Sequence, residues 1–143
     1  MIIHQLSVFL ENKKGRLFEA IETLAKNGIN ISALSLAEAC EYGVVRMIVD
    51  DTELSKSVLK DSGVVVSVSK AVAVAMNDSP GGARDILKVL AQADVNIEYM
   101  YAFVGKTTGK ALMVLRTDDI EKTEKILKEN GLGEVNPADI YRI

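Results

Sequence analysis

The sequence has one cysteine, Cys40, and one histidine, His4, among its 143 residues. A single thiol cannot close an internal disulfide, and a histidine without companion ligands gives a metal nothing to build on. No Cys-x-x-Cys loop is present. No long run of lysine or arginine occurs and the net charge is −3, whereas nucleic-acid-binding domains are usually basic. The longest apolar stretches, Val64-Val65-Val66 and Ala71 through Met76, fall far short of a membrane span. The opening Met1-Ile2-Ile3-His4-Gln5 lacks the basic head and cleavage site of a secretory leader. These absences point to the cytoplasm, with no membrane, nucleic acid, metal or cofactor expected.

What the sequence does contain is a copy of itself. Leu10-Glu11-Asn12-Lys13-Lys14-Gly15 aligns with Met76-Asn77-Asp78-Ser79-Pro80-Gly81, an offset of 66 (76 − 10). At the same offset Ile21-Glu22-Thr23-Leu24-Ala25 meets Leu87-Lys88-Val89-Leu90-Ala91, and Gly28-Ile29-Asn30-Ile31 meets Asp94-Val95-Asn96-Ile97. Later, Val58 through Gly63 meets Ile126 through Gly131 at an offset of 68 (126 − 58), the drift falling in loops or element ends that tolerate insertion.

Each copy has the same order of elements. In the first, an alternating apolar strand (Ile2 to Leu10) precedes a helix after Gly15, with Leu17, Ile21, Leu24 and Ala25 on one face. Strands follow at Ile29 to Ala39 and Val44 to Val49. A second helix starts from the acidic, capping Asp50-Asp51-Thr52, and a last strand spans Val64 to Val68. In the second copy, Val72 to Met76 is a strand and the first helix runs from about Gly81 to Ala93. Strands follow at Val95 to Val104 and Lys110 to Arg116. The second helix begins near Asp118, with Glu121–Lys125 and Glu124–Lys128 pairs, and the final strand is expected at Ala138 to Arg142. Two βαββαβ units, residues 1–69 and 70–143, make an α+β protein of two ferredoxin-like modules. Each has an antiparallel sheet with helices on one face, and side-by-side packing would cover the surface that a unit this small leaves bare.

Several uses of this fold are excluded by residue type. Gly105 through Lys110 looks like a phosphate loop, but Met100 and Val104 stand where the required glycine belongs, and the segment joins two strands. An RNA-binding sheet needs stacking aromatics, which Val44 to Met47 and Ala111 to Val114 do not supply. No nucleophile–base pair stands out, so catalysis is not expected.

The strand-to-helix loops, Glu11 through Leu17 and Asn77 through Ala83, together with the Gly-Ile-Asn-Ile and Asp-Val-Asn-Ile junctions, resemble the ACT domain family. The resemblance covers nearly the whole chain and occurs twice at matching separation. It implies a small effector, commonly an amino acid, held between modules, with the loop of one facing the second strand of its neighbour. Carried over by position, the ligand-binding residues are Asn12, Gly15, Asn30, Asp78, Gly81 and Asn96, supported by Leu17, Ser79, Gly82 and Ala83. The chemistry suits an amino acid: a helix start offers N–H groups to a carboxylate, glycine permits close approach, and an Asn amide both donates and accepts. Asn12 and Asp78 are equally ordinary helix N-caps, and Asn30 and Asn96 ordinary turn residues. The loops also differ, with Lys13, Lys14 and Arg16 in one and Asp78 in the other, so the sites need not be equivalent.

The expected function is a non-enzymatic amino-acid-binding sensor or regulatory protein, coupled to a metabolic enzyme and compatible with a homodimer. The loop is similar to that of the regulatory subunit of acetolactate synthase. The alternative is a structural or assembly subunit with degenerate sites. A small enzyme of this fold, such as an acylphosphatase, would need an arginine-bearing phosphate loop that is not recognisable here.

Overall fold

The computed structural model describes residues 1–37, 41–104 and 108–141. Its elements are β1 (Ile2–Glu11), α1 (Arg16–Lys26), β2 (Ile31–Ala37), β3 (Tyr42–Val49), α2 (Thr52–Asp61), β4 (Val65–Asn77), α3 (Gly82–Gln92), β5 (Ile97–Val104), β6 (Lys110–Thr117), α4 (Ile120–Glu129) and α5 (Pro137–Ile140). Contacts divide the chain into two compact units. The first module is His4–Ser69 together with Tyr141; the second is Met1–Ile3 together with Lys70–Ile140.

In the first module the strands lie in the order β2-β3-β1-β4. β3 runs antiparallel to both neighbours, with Leu6 opposite Met47 and Leu36 opposite Val45. Period-two alternation puts Leu6, Val8, Leu10, Val45, Met47 and Val49 on one face, where Ala20 and Leu24 of α1 and Leu59 of α2 cover them. Tyr141 belongs here too: burial raises its phenol above the ordinary value, opposed by a hydrogen bond to the His4 backbone.

The second module repeats the plan with β6 antiparallel to β4 and β5. Val72, Val74, Met113 and Leu115 meet Ile86 and Leu90 of α3 and Ile120 and Leu127 of α4. The opposite face is apolar as well. Ala71, Ala73, Leu112 and Val114 are all buried, with Tyr101 and Phe103 of β5 in register beside the last two.

Two expectations are corrected. Val64 to Val68 and Val72 to Met76 were expected as separate strands, yet β4 runs unbroken. Ser69-Lys70-Ala71 holds no glycine, proline, asparagine or aspartate to turn the chain. Ala138 to Arg142, expected as the last strand, begins instead within α5; Arg142 lies outside the described residues. Asn136 accepts the Ala138 N–H through its side chain (3.0 Å) and the Asp139 N–H through its carbonyl (2.8 Å), so Asn-Pro here starts a helical turn.

The strand that completes the second module comes from the other end of the chain. The Met1 carbonyl accepts the Ala73 N–H at 2.9 Å and the Met1 nitrogen donates to the Ala73 carbonyl at 3.0 Å. The Ile2 N–H donates to Glu124 Oε1 of α4 (3.1 Å). Burial opposes ionisation of Glu124, but the Lys128 ammonium and the Ile2 N–H outweigh it and hold the carboxyl below its ordinary value. Of the expected helix pairs, Glu124–Lys128 forms at 3.2 Å, whereas Glu121 turns to Lys70 (3.4 Å) rather than Lys125.

Ile3 is 1% exposed, so Ile3→Ala should cost about 2–5 kcal/mol. Its effect should reach the second module: hydrogen exchange of the Ala73 amide should accelerate, which amide-resolved exchange by NMR would detect. Unchanged protection at Ala73 would contradict this pairing.

Candidate functional site

The two strand-to-helix loops have the same backbone architecture. Asn12 N–H donates to the Glu41 carbonyl (2.8 Å), and Asp78 N–H to the Gly109 carbonyl (3.0 Å), each extending a strand pair by one bond. The helices then start at glycines in the left-handed region, Gly15 at φ 85° and Gly81 at φ 94°, where a side chain would be strained. The Arg16 N–H returns to the Lys13 carbonyl (3.3 Å) and the Gly82 N–H to the Ser79 carbonyl (3.0 Å). The next amides, on Leu17 and Phe18 and on Ala83 and Arg84, donate to no acceptor among the described residues. Neither helix has a side-chain cap.

That arrangement excludes the capping explanation for Asn12 and Asp78. Their side chains make no hydrogen bond among the described residues and both are exposed. Capping is done elsewhere: Asp51 accepts from Leu54 N–H and Asp119 from Lys122 N–H, both at 2.9 Å, at the starts of α2 and α4. The Leu17 and Ala83 side chains pack against the two cores. Ser79 is exposed and contributes its carbonyl to the turn. Gly82 is needed for packing, since a Cβ there would stand 2.1 Å from the Asn77 carbonyl oxygen.

Asn30 and Asn96 lie at the far end of each module. The Asn30 N–H donates to Asp50 Oδ1 (3.0 Å) and its carbonyl accepts the Asp50 N–H (3.2 Å); Asn96 and Asp118 repeat both bonds at 3.1 and 3.2 Å. Asn12 is tied to Glu41 and Asn30 to Asp50, at opposite ends of β3. The eight residues of β3 lie between those anchors, a span of roughly 30 Å at about 3.3 Å per residue. Within one module, therefore, the residues carried over from the family form two groups that cannot share a small ligand.

The loops differ less in charge than their composition suggests. Lys13 binds Glu11 at 2.6 Å and Arg16 binds Glu19 at 2.9 Å. The hydrogen bond and charge of Lys13 lower the Glu11 carboxyl below its ordinary value. In the second loop the Arg84 guanidinium, held by Asp85 at 2.7 Å, folds back over Gly81. Sequence reasoning missed Arg84, whose counterpart at the repeat offset is Phe18. It also missed the role of Asp50 and Asp118 in fixing Asn30 and Asn96, although their matching positions in the repeat were a usable signal.

A family model described as an ACT domain pair matches residues 1–143. The chain belongs to the ACT domain pair family. Protein BT0572 from Bacteroides thetaiotaomicron is similar over 100% of this chain and 98% of its own, with 38% identity and a TM-score of 0.91. The regulatory subunit of aspartate kinase from Thermus thermophilus, in its ligand-free form, has the same fold at 12% identity and a TM-score of 0.64, over 90% of this chain and 94% of its own. Aspartate kinase from Synechocystis matches 94% of this chain with 27% of its own length, at 16% identity and a TM-score of 0.61. No curated protein sequence matches the ACT pair. Among its described residues, no helix is long and apolar enough to cross a membrane.

Since neither Asn12 nor Asp78 caps its helix, Asn12→Ala and Asp78→Ala should each change stability by less than about 0.5 kcal/mol. Asp51→Ala and Asp119→Ala should each cost about 1 kcal/mol. Urea denaturation of the four variants distinguishes the two kinds of position.

Proposed function

We propose that this ACT pair is a non-enzymatic regulatory protein that binds a free amino acid at its glycine loops and transmits occupancy to a partner enzyme of amino-acid metabolism. The observation that carries the reading is the pair of uncapped helix starts. Among the described residues each leaves two consecutive N–H groups without an acceptor, beside a polar side chain, Asn12 or Asp78, that no other described group engages. A carboxylate answers both the unpaired amides and the positive end of the helix dipole. The Asp78 carboxylate suits an ammonium, and the Asn12 amide suits either end of the ligand.

The separation of Asn12 from Asn30 within a module supports a site completed by a second module, as the family resemblance implies. On that reading Gly15, Gly81, Leu17, Ala83, Ser79 and Gly82 shape the loops, while Asn30 and Asn96 face a neighbour's loop. Regulation then operates by linkage. A ligand that prefers one arrangement of modules shifts the population toward it, with a coupling of about 1–3 kcal/mol. The aspartate kinase regulatory subunit is a structural relative with this kind of task, and its likeness supports the regulatory reading without naming the partner here.

A thermal-shift screen against the common amino acids tests the proposal. A true ligand at 100 times its Kd should add about 2.7 kcal/mol of stability. Asn12→Ala or Asp78→Ala should weaken binding roughly five- to tenfold, the worth of one hydrogen bond, measured by calorimetry. If no amino acid raises Tm, the assembly-subunit reading replaces this one.

A further inference from the structure

An open cleft of about 1120 Å³ lies within the second module, beside the end of β4. Its lining includes Met76, Ile86 and Leu132, which are apolar, and Asn77, Gly82 and Lys110. Of the residues carried over from the family, only Gly82 lines it. The contact between Gly82 and the Asn77 carbonyl fixes this wall, because any side chain at position 82 would push the β4 end away.

Lys110 gives the cleft its chemistry. Its ammonium donates to Asn77 Oδ1 at 2.7 Å, a neutral oxygen, and no carboxylate pairs with it among the described residues. Nearby acids on α3 and α4 are already taken: Asp85 by Arg84 at 2.7 Å and Glu124 by Lys128 at 3.2 Å. The first module serves as an internal control. There the paired positions are Glu11 opposite Tyr42, where the second module has Asn77 opposite Lys110, and Arg16 replaces Gly82. At that strand end Glu11 is neutralised by Lys13, and position 42 holds a tyrosine rather than a cation. The second copy alone combines a lysine without a counter-ion, an amide that holds it in place, and an aliphatic lining.

We propose that this cleft is a second ligand site, confined to the second module, for a small carboxylic acid with an aliphatic side chain. The carboxylate meets Lys110 Nζ, and the side chain lies against Met76, Ile86 and Leu132. Methionine adapts readily to branched aliphatic groups, and a pocket of this scale suits a small molecule. Glu134, on the segment after α4, also lines the cleft and suits an α-ammonium, so an amino acid and its deaminated analogue share the chemistry. The site does not use Asn12 or Asp78, so it stands or falls separately from the loop site.

Methyl NMR of the full chain with ¹³C-labelled methionine tests it, titrating leucine and 4-methylpentanoate separately at millimolar concentrations. The Met76 methyl should move saturably with at least one of them while the buried Met47 stays still. A response to leucine alone would show that the ammonium is engaged; a response to both would show that the carboxylate suffices. Lys110→Met should weaken the Met76 response at least tenfold and Lys110→Glu should abolish it, whereas Asp78→Ala should leave it unchanged. Both substitutions are at an exposed position, and an unchanged amide spectrum away from the cleft confirms folding. No saturable shift with either compound, or affinity in both Lys110 variants unchanged from that of the native chain, overturns the proposal.

Discussion

The second module depends on a pairing between Met1 and Ala73. Two backbone hydrogen bonds join them, and beside them Ile3 is almost wholly buried. β4 would otherwise carry unpaired amides and carbonyls on the side away from β6, a cost that folded sheets avoid. The Ile2 contact to Glu124 then links the start of β1 to α4, so sheet, helix and core are fixed together. The first module makes the reciprocal use of the far terminus, where Tyr141 reaches the His4 backbone. Each copy of the repeat is completed by residues from the other end of the sequence.

Duplication preserved the backbone of the glycine loops and changed their side chains. Both loops share the positive-φ glycine, the returning hydrogen bond at the first helical residue and the two unclaimed amides that follow. Arg16, Phe18 and Glu11 of the first copy correspond to Gly82, Arg84 and Asn77 of the second, so the two strand ends carry different side chains. Such a pattern keeps a common recognition element while allowing two copies to take different occupants. The physical basis is simple: amides belong to the fold, whereas charge and volume belong to individual residues.

Much of this was legible in the sequence because the repeat and the alternation of Leu6, Val8 and Leu10 report directly on elements and faces. The glycine loops were legible for the same reason, since helix starts carry local signatures. Three features were not. The continuity of β4 goes with the absence of glycine, proline, asparagine and aspartate at Ser69-Lys70-Ala71, a weaker signal than the presence of one. The final segment was mistaken for a strand because the repeat demanded one, although Asn136-Pro137 is a local helix start. The source of the missing strand was invisible, because pairing between residues 1–3 and 71–73 leaves no local pattern. At the candidate site, the sequence left capping and binding as equal alternatives for Asn12 and Asp78, because it does not show that the helices start at Gly15 and Gly81 without a side-chain cap.

The exchanged ends also dictate an order of assembly. Bringing Met1 to Ala73 closes a loop of 72 residues, and the entropy of closing so long a loop must be met before its hydrogen bonds form. Hairpins such as β2–β3 and β5–β6 need far shorter excursions and can form early. The terminal strand therefore locks in late, after the two hairpins already exist. Its arrival completes the sheet of the second module, a long-range step that the local hairpins do not require.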